Sequence, residues 1–217
     1  MNSQTAYDRI AECAFMAGMR GSFVPTTAVE VAHVLVESGR INVFELTMNS
    51  PQAIEAMQAI KHIYGDNAVV GMGTVLDVEM ARQVLDAGAD FVVAPSFSRA
   101  VVEYVLQHDI LVVPGVMTPT EAVDAWSTGV KLLKLFPSGP LGLDYFKALR
   151  GPLDHINFMC NGGTDDTNSF DFLKAGAVAC GMAGWLTGNG STPLDVIARR
   201  AKLLRDGVTA LRTGIRV

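Results

Sequence analysis

The sequence is poor in the residues that build metal sites and disulfide frameworks. Its three cysteines, Cys13, Cys160 and Cys180, are odd in number and far apart, and there are only four histidines (His33, His62, His108 and His155). No CxxC and no Cys/His ligand spacing arises from them, which argues against a disulfide scaffold and a structural zinc site. No metal and no other cofactor is expected. An excess of positive charge is lacking too: the formal net charge is −5, with acidic and basic residues interspersed. That argues against a nucleic-acid surface and a polybasic membrane anchor. An anionic small substrate stays open, because a pocket can be locally positive on an acidic protein. No apolar run approaches the ~20 residues of a membrane helix. The opening MNSQTAYDRIAECAF has neither a basic n-region nor an apolar h-region. A cytoplasmic protein without membrane contact is the expectation. No Pro/Gly/Ser linker or low-complexity stretch divides the chain, so residues 1–217 read as one domain.

What is present is an alternation. Eight β-rich runs, AFMAGM (14–19), INVFEL (41–46), AVVGM (68–72), FVVA (91–94), ILVV (110–113), KLLKLF (131–136), INFMC (156–160) and AVACGM (177–182), are separated by segments of helical periodicity. In TTAVEVAHVLVESG the apolar Val29, Val31, Ala32, Val34 and Leu35 share a side and Gly39 ends the helix. Helix, glycine and strand recur in ESGR-INVF, DAGAD-FVV, STGVKLLKL and KAGAV-AC, as a left-handed helix cap would require. Strands joined by helices pair in parallel. Eight of them close a barrel. The expected fold is an α/β (β/α)8 TIM barrel with an extra N-terminal helix over roughly residues 3–13. A doubly wound open sheet is the alternative.

In such a barrel, functional groups sit at the C-terminal ends of the strands. Those ends carry Arg20, Glu45, Thr74, Pro95, Gly115, Lys134, the turn Asn161-Gly162-Gly163 and Gly181 to Gly184. Strand alternation puts Leu132, Lys134 and Phe136 on one face and Lys131, Leu133 and Leu135 on the other. If the first face is the barrel interior, burial lowers the pKa of Lys134, and a neutral amine attacks a ketone to form a Schiff base. The alternative is a lysine whose head reaches solvent past the strand end, as Lys131 does at the strand entrance. Glu45 is an acid or base, or a helix cap. Arg20 clamps a carboxylate or pairs with a surface acid. Gly71-x-Gly73 lacks the third glycine of a dinucleotide loop, Leu76 standing in its place, and reads as a tight turn presenting Thr74. The glycine turns 161–164 and 181–184 follow the last two strands, where barrels bind phosphate on backbone N–H groups. Asp165 and Asp166 read as solvated carboxylates or caps, and the scattered Met16, Met19, Met48, Met72 and Met117 as core and pocket lining.

Taken together, FELTMNSPQ (44–52), VVGMGTVL (69–76), VVAPSFS (92–98), VVPGVMTPTEA (112–122), LLKLFPSG (132–139), GPLGLDYFKALRGPL (139–153) and NGGTDDTN (161–168) closely resemble a family. It is that of the pyruvate-forming class I aldolases acting on 2-keto-3-deoxy-6-phosphogluconate, 6-phosphogalactonate and 4-hydroxy-2-oxoglutarate. The resemblance implies a homotrimer, a Schiff-base lysine at Lys134 and a proton-transferring glutamate at Glu45. It also implies that Thr74 and Arg20 hold the pyruvate carboxylate, that Pro95 and Phe136 line the pocket, and that no metal takes part.

The chain departs from the family at the far end of the substrate. Asn161 stands where relatives commonly have Thr, Ala183-Gly184 where many have Gly-Ser, and Asn49 where some have Arg. Donors on the backbone of Gly162, Gly163 and Gly184 remain. The implied reaction is reversible cleavage of a 2-keto-3-deoxy-6-phospho sugar acid to pyruvate and glyceraldehyde 3-phosphate. Alternatives are a 4-hydroxy-2-oxoglutarate or nonphosphorylated 2-keto-3-deoxy sugar acid aldolase, and a noncatalytic sugar-acid-binding barrel.

Overall fold

A computed structural model describes residues 1–214. Its elements run α1 (Ser3–Cys13), β1 (Phe15–Met19), α2 (Pro25–Gly39), β2 (Val43–Thr47), α3 (Ala53–Tyr64), β3 (Val69–Gly73), α4 (Val78–Asp86), β4 (Phe91–Val93), α5 (Arg99–Leu106), β5 (Leu111–Val113), β6 (Gly115–Val116), α6 (Pro119–Trp126), β7 (Leu133–Leu135), α7 (Ser138–Arg150), β8 (Phe158–Asn161), α8 (Ser169–Lys174), β9 (Ala179–Met182) and α9 (Leu194–Thr213). All strand pairs are parallel, in the order β5-β4-β3-β2-β1-β9-β8-β7-β6.

The two ends of that order, β5 and β6, are consecutive in the chain with only Pro114 between them. They are one strand interrupted where proline removes a ladder donor. The Pro114 carbonyl still accepts from Lys134 N at 2.9 Å, so the sheet closes on itself. The barrel expectation holds and the open sheet does not. The eight expected strands are the eight staves, the fifth of them split in two.

Closure divides the apolar residues into two sets. Met16, Val43, Val69, Phe91, Val93, Leu111, Val113, Leu132, Met159 and Ala179 fill the barrel interior, and Ala6 and Ile10 of α1 pack on them. The opposite faces of the strands, Leu133 and Leu135 among them, pack against the helices. A parallel sheet buried on both sides needs this near-continuous apolar sequence. Asn2 caps α1, its side chain accepting from Thr5 N at 2.8 Å.

Glycine ends helices as expected at Gly88, Gly129 and Gly176, all with φ between 91° and 97°. Gly39 is different: it is the last helical residue of α2, and the left-handed position falls to Arg40 at φ 53°. A Cβ on Gly39 would sit 2.7 Å from Ala201 O, so this glycine lets α2 and α9 approach. Phe146 of α7 meets Phe158 of β8 and Phe172 of α8 edge-on at 6.1 and 5.7 Å, which seats the last part of the barrel. Among the described residues no helix is long and apolar enough to cross a membrane.

Candidate active site

Above the apolar plug the inward-facing positions change character. Gly18, Glu45, Gly73, Gly115, Lys134, Asn161 and Gly181 replace the apolar interior residues lower in the barrel. The glycines make room for the polar side chains. A Cβ on Gly73 would fall on Glu45 Oε1, and one on Gly181 would fall on Asn161 Nδ2. Each long polar side chain thus lies sideways over a neighbouring strand that offers only backbone.

Lys134 is 4% exposed and Glu45 6%. The ammonium lies 4.8 Å from the centroid of the Phe136 ring, and among the described residues it makes no ion pair. Burial pushes the Lys134 pKa below the ordinary lysine value, and the positive charge of Arg20 pushes it the same way against the opposing pull of Glu45. An inward lysine with a depressed pKa is a nucleophilic amine.

A cavity of about 280 Å³ opens over these groups. It is lined by Arg20, Glu45, Lys134 and Phe136, by the turn from Asn161 to Asp165, and by Met182 to Trp185 beside Gly18 and Gly181. Two larger hollows, about 850 and 790 Å³, run along α9 on the outside of the barrel. Neither holds Lys134 or Glu45, so size alone would pick the wrong place. The strand ends select the smaller one.

Of the residues singled out in the sequence, the cavity brings together Arg20, Glu45, Lys134, Phe136, Asn161, Gly162, Gly163 and Gly184. Thr74 and Pro95 do not line it. They sit half-buried at the ends of β3 and β4, whereas the cavity leans toward β7, β8, β9, β1 and β2. Thr74 adopts φ 61°, a left-handed conformation that strains a β-branched residue by ~1–3 kcal/mol and accompanies functional turns. The carbonyl of Pro95 packs where a Cβ of Gly115 would be.

The walls are tied by hydrogen bonds. Gly21 N donates to Ser50 Oγ at 2.9 Å, Ser50 meets Thr47 Oγ1 at 2.9 Å, and Ser22 N donates to Asn189 O at 2.8 Å. The turn bearing Arg20 is therefore sewn to the loops after β2 and β9. On the far wall Gly162 and Gly163 hold φ 81° and 76°. A Cβ on Gly162 would lie 2.6 Å from the Phe136 ring. Thr164 Oγ1 donates to Gly181 O at 2.6 Å and Asn168 Nδ2 to Gly163 O at 2.9 Å. Among the described residues the N–H groups of Gly162, Gly163 and Gly184 have no acceptor, so they are free for an anion or a hydroxyl. The loop after β6 owes its PGVMTPTE sequence to a capping box: Thr118 and Glu121 satisfy each other's backbone, and Glu121 also accepts from Met117 N at 2.8 Å.

Sequence reasoning missed two residues. Trp185 lines the cavity, and only its place after β9 could have pointed to it; Thr164 lines it too, within the 161–164 turn expected there. Ser138 does not line it, yet its hydroxyl donates to Leu135 O at 2.7 Å and accepts from Asn161 N at 3.0 Å. Asp165 lies at the cavity, and its carboxylate accepts from Thr167 N at 2.8 Å; this closes a turn and does not cap α8, which starts after Asn168 without a side-chain cap. Met16, Met19 and Met72 are core, whereas Met117 is exposed.

Comparison with known proteins places this geometry. The profile of the family described as "Aldolase: KDPG and KHG aldolase" matches residues 24–199. A 2-dehydro-3-deoxy-6-phosphogalactonate aldolase of Escherichia coli is 32% identical over 77% of this chain and 81% of its own. A 2-dehydro-3-deoxy-phosphogluconate aldolase of Treponema pallidum is 36% identical over 73% of this chain and 75% of its own. Among solved structures, the 2-keto-3-deoxy-6-phosphogluconate aldolase of Zymomonas mobilis with 3-phosphoglycerate superposes with TM-score 0.83 at 26% identity, covering 92% of this chain and 94% of that one. A designed cage made by fusing symmetric oligomeric domains superposes with TM-score 0.85 at 28% identity, over 93% of this chain and 74% of that one.

Proposed function

The chain belongs to the KDPG and KHG aldolase family, whose members are lyases, and from that premise we propose a class I aldolase that releases pyruvate from a 2-keto-3-deoxy-6-phospho sugar acid. The observation that carries the reading is the inward Lys134, buried, without an ion-pair partner among the described residues and depressed in pKa, in one cavity with the buried Glu45.

The reaction follows from those two groups. Neutral Lys134 Nζ adds to the C2 ketone, and loss of water leaves a protonated imine. Glu45 takes the proton of the C4 hydroxyl, directly or through a water. The C3–C4 bond breaks, its electron pair flows into the iminium to give an enamine, and C4 departs as the aldehyde. Protonation at C3 and hydrolysis return pyruvate and free Lys134. The iminium supplies the electron sink that a Lewis-acid metal supplies elsewhere. Arg20, the cation that lines the cavity besides Lys134 among the described residues, holds the carboxylate, and Phe136 shapes the pocket.

The aldehyde half meets the far wall. A terminal phosphate would sit on the free N–H groups of Gly162, Gly163 and Gly184. One alternative, a nonphosphorylated 2-keto-3-deoxy sugar acid with an uncharged far end, is favoured by the absence of a side-chain hydroxyl at Gly184 and by Asp165 at the rim; 4-hydroxy-2-oxoglutarate, whose far end is a carboxylate, is the other alternative. A homotrimer is part of the reading, suggested by the family resemblance and by the likeness to the cage built from symmetric oligomeric domains; light scattering of the purified protein would test it.

Borohydride reduction in the presence of pyruvate is the decisive experiment. Peptide mapping should find the adduct on Lys134, and a noncatalytic binder would acquire none. Pyruvate release coupled to lactate dehydrogenase then ranks the phosphorylated acid, its dephosphorylated form and 4-hydroxy-2-oxoglutarate.

A further inference from the structure

Arg20 lines the cavity over Lys134, yet nothing on its side chain fixes it there. The residue is exposed, and among the described residues its guanidinium makes no hydrogen bond and no ion pair. A long, unpartnered side chain keeps its rotamer freedom, so the region it searches is set by its backbone. For Arg20 that backbone is the turn after β1, residues 20–23.

On the β9 side the sheet does not hold this turn, because the ladder stops at Ala17 opposite Met182. Beyond that point the loop after β9 takes over. Thr187 is 0% exposed and donates its hydroxyl to Gly18 O, and Asn189 O accepts from Ser22 N at 2.8 Å. The contact is backbone on backbone, with a glycine on each side. Gly21 holds φ 121°, and a Cβ on it would lie 2.7 Å from Asn189 O. Gly190 holds φ 97°, and a Cβ on it would lie 2.4 Å from Ser22 O. Only glycine supplies both the conformation and the space. The same loop carries Gly184 and Trp185 of the far wall, so one segment reaches from there to the turn of Arg20.

We propose that Gly190 is a positioning residue: packed against Ser22, with the Asn189 carbonyl beside it, it sets the turn that aims Arg20 at the carboxylate of the keto acid. The inference rests on the aldolase reading above, in which Arg20 is the partner of that carboxylate. Gly190 does not line the cavity and reaches the substrate only through Arg20.

The test uses the full-length protein and its Gly190→Ala, Arg20→Gln and doubly substituted forms, with Gly188→Ala as the control. Each is given pyruvate or methyl pyruvate, which presents the same ketone without the negative charge. The imine on Lys134 is trapped with cyanoborohydride and counted by mass spectrometry, and the readout is the ratio of trapping efficiencies for the two ketones. Arg20→Gln should lower the pyruvate/methyl pyruvate ratio by about tenfold or more, the effect of a hydrogen bond to a charged group. Gly190→Ala should lower it by about threefold to tenfold, because it misplaces the same guanidinium. The double variant should fall no further than Arg20→Gln, since Gly190 acts through Arg20. Gly188 lies in the same loop at φ 68°, but a Cβ on it would meet only the Thr192 side chain. Gly188→Ala should therefore strain the loop and leave the ratio within twofold of wild type. A merely structural Gly190 would slow both ketones alike, and an unchanged ratio in Gly190→Ala would overturn the proposal. Equal losses of ratio in Gly188→Ala and Gly190→Ala, or multiplicative losses in the double variant, would overturn it too. An unchanged ratio in Arg20→Gln would remove its premise. Should Gly190→Ala not fold, Thr187→Val frees the base of the loop from Gly18 O while keeping its shape, and an unchanged ratio there refutes the positioning role. Failure of the wild type to trap pyruvate would instead strike the aldolase reading, and this proposal with it.

Discussion

Gly73 is the position where a single methyl group should disable the chemistry without touching a reactive atom. Its Cα is paired with that of Thr47 on β2, and Glu45 lies across it so closely that a Cβ would overlap Oε1 and lie 2.6 Å from Cδ. Gly73 is not among the residues with positive φ, so alanine is acceptable to the backbone and the conflict is with the carboxylate alone. Glu45 is 6% exposed and has no free space to retreat into except the cavity itself. A general base contributes ~10²–10⁴ in rate, which at ~1.36 kcal/mol per decade is ~2.7–5.4 kcal/mol of barrier. Gly73→Ala should forfeit most of this and cleave about 10²-fold more slowly or worse, as should Glu45→Gln. Combining the two should cost little more than either, because they remove one function. Overpacking should lower stability by ~1–3 kcal/mol, which thermal melts would separate from the kinetic loss. Pyruvate release coupled to lactate dehydrogenase, with circular dichroism to confirm folding, is sufficient. A folded Gly73→Ala enzyme working within threefold of wild type would show that Glu45 is not the base, or that its position is immaterial.

Other outcomes follow from the same cavity. Lys134 has a folded pKa below its ordinary value, so between the folded and unfolded values the unfolded chain binds the extra proton and stability rises with pH. Lys134→Met should therefore abolish activity yet raise the melting temperature at pH 7, by ~2–4 °C for each kcal/mol of burial penalty relieved, with the advantage vanishing as pH passes the unfolded value. Arg20 helps to depress that pKa, so Arg20→Gln should move the acid limb of imine formation, where Lys134 loses its proton, to higher pH and raise KM for the keto acid. A pH profile unchanged by the substitution would deny Arg20 its place at the mouth. Gly162→Ala meets both a φ of 81° and the Phe136 ring. It should cost ~1–3 kcal/mol in denaturant melts and weaken any phosphorylated substrate more than its dephosphorylated form. Treatment with EDTA should leave turnover unchanged, since the iminium is the electron sink; a loss restored by a divalent cation would contradict the mechanism.

The inward face of Lys134 was legible because strand alternation is rigid: once Leu132 is core, Lys134 two residues on must point the same way. Helix and strand alternation, with glycine at Gly88, Gly129 and Gly176, likewise follows from local periodicity and the left-handed cap. The split fifth strand was partly legible, for Pro114 sits inside VVPGV, but whether proline ends a strand or interrupts it depends on what the neighbouring strand donates. Here its carbonyl still serves Lys134 N. Gly39 looked like a helix cap and proved to be a helix–helix contact, a distinction that needs α9 in place.

The remainder of the site depends on relations across strands. Glu45 over Gly73 and Asn161 over Gly181 are set by the register of β2 on β3 and of β8 on β9. Shifting either pair by one residue would replace the glycine with a side chain pointing the other way. The same holds for Ser138, which in sequence is an ordinary helix-starting serine and in space is a rung between two strands. Glycines on the inward face of a barrel strand are thus better guides to a site than the polar residues they accommodate. A polar side chain at a strand end has several fates, whereas an inward glycine above a branched plug leaves a void that a neighbouring side chain or a ligand must fill. In this barrel two such voids hold Glu45 and Asn161, and the space between them, over Lys134, is where the keto acid fits.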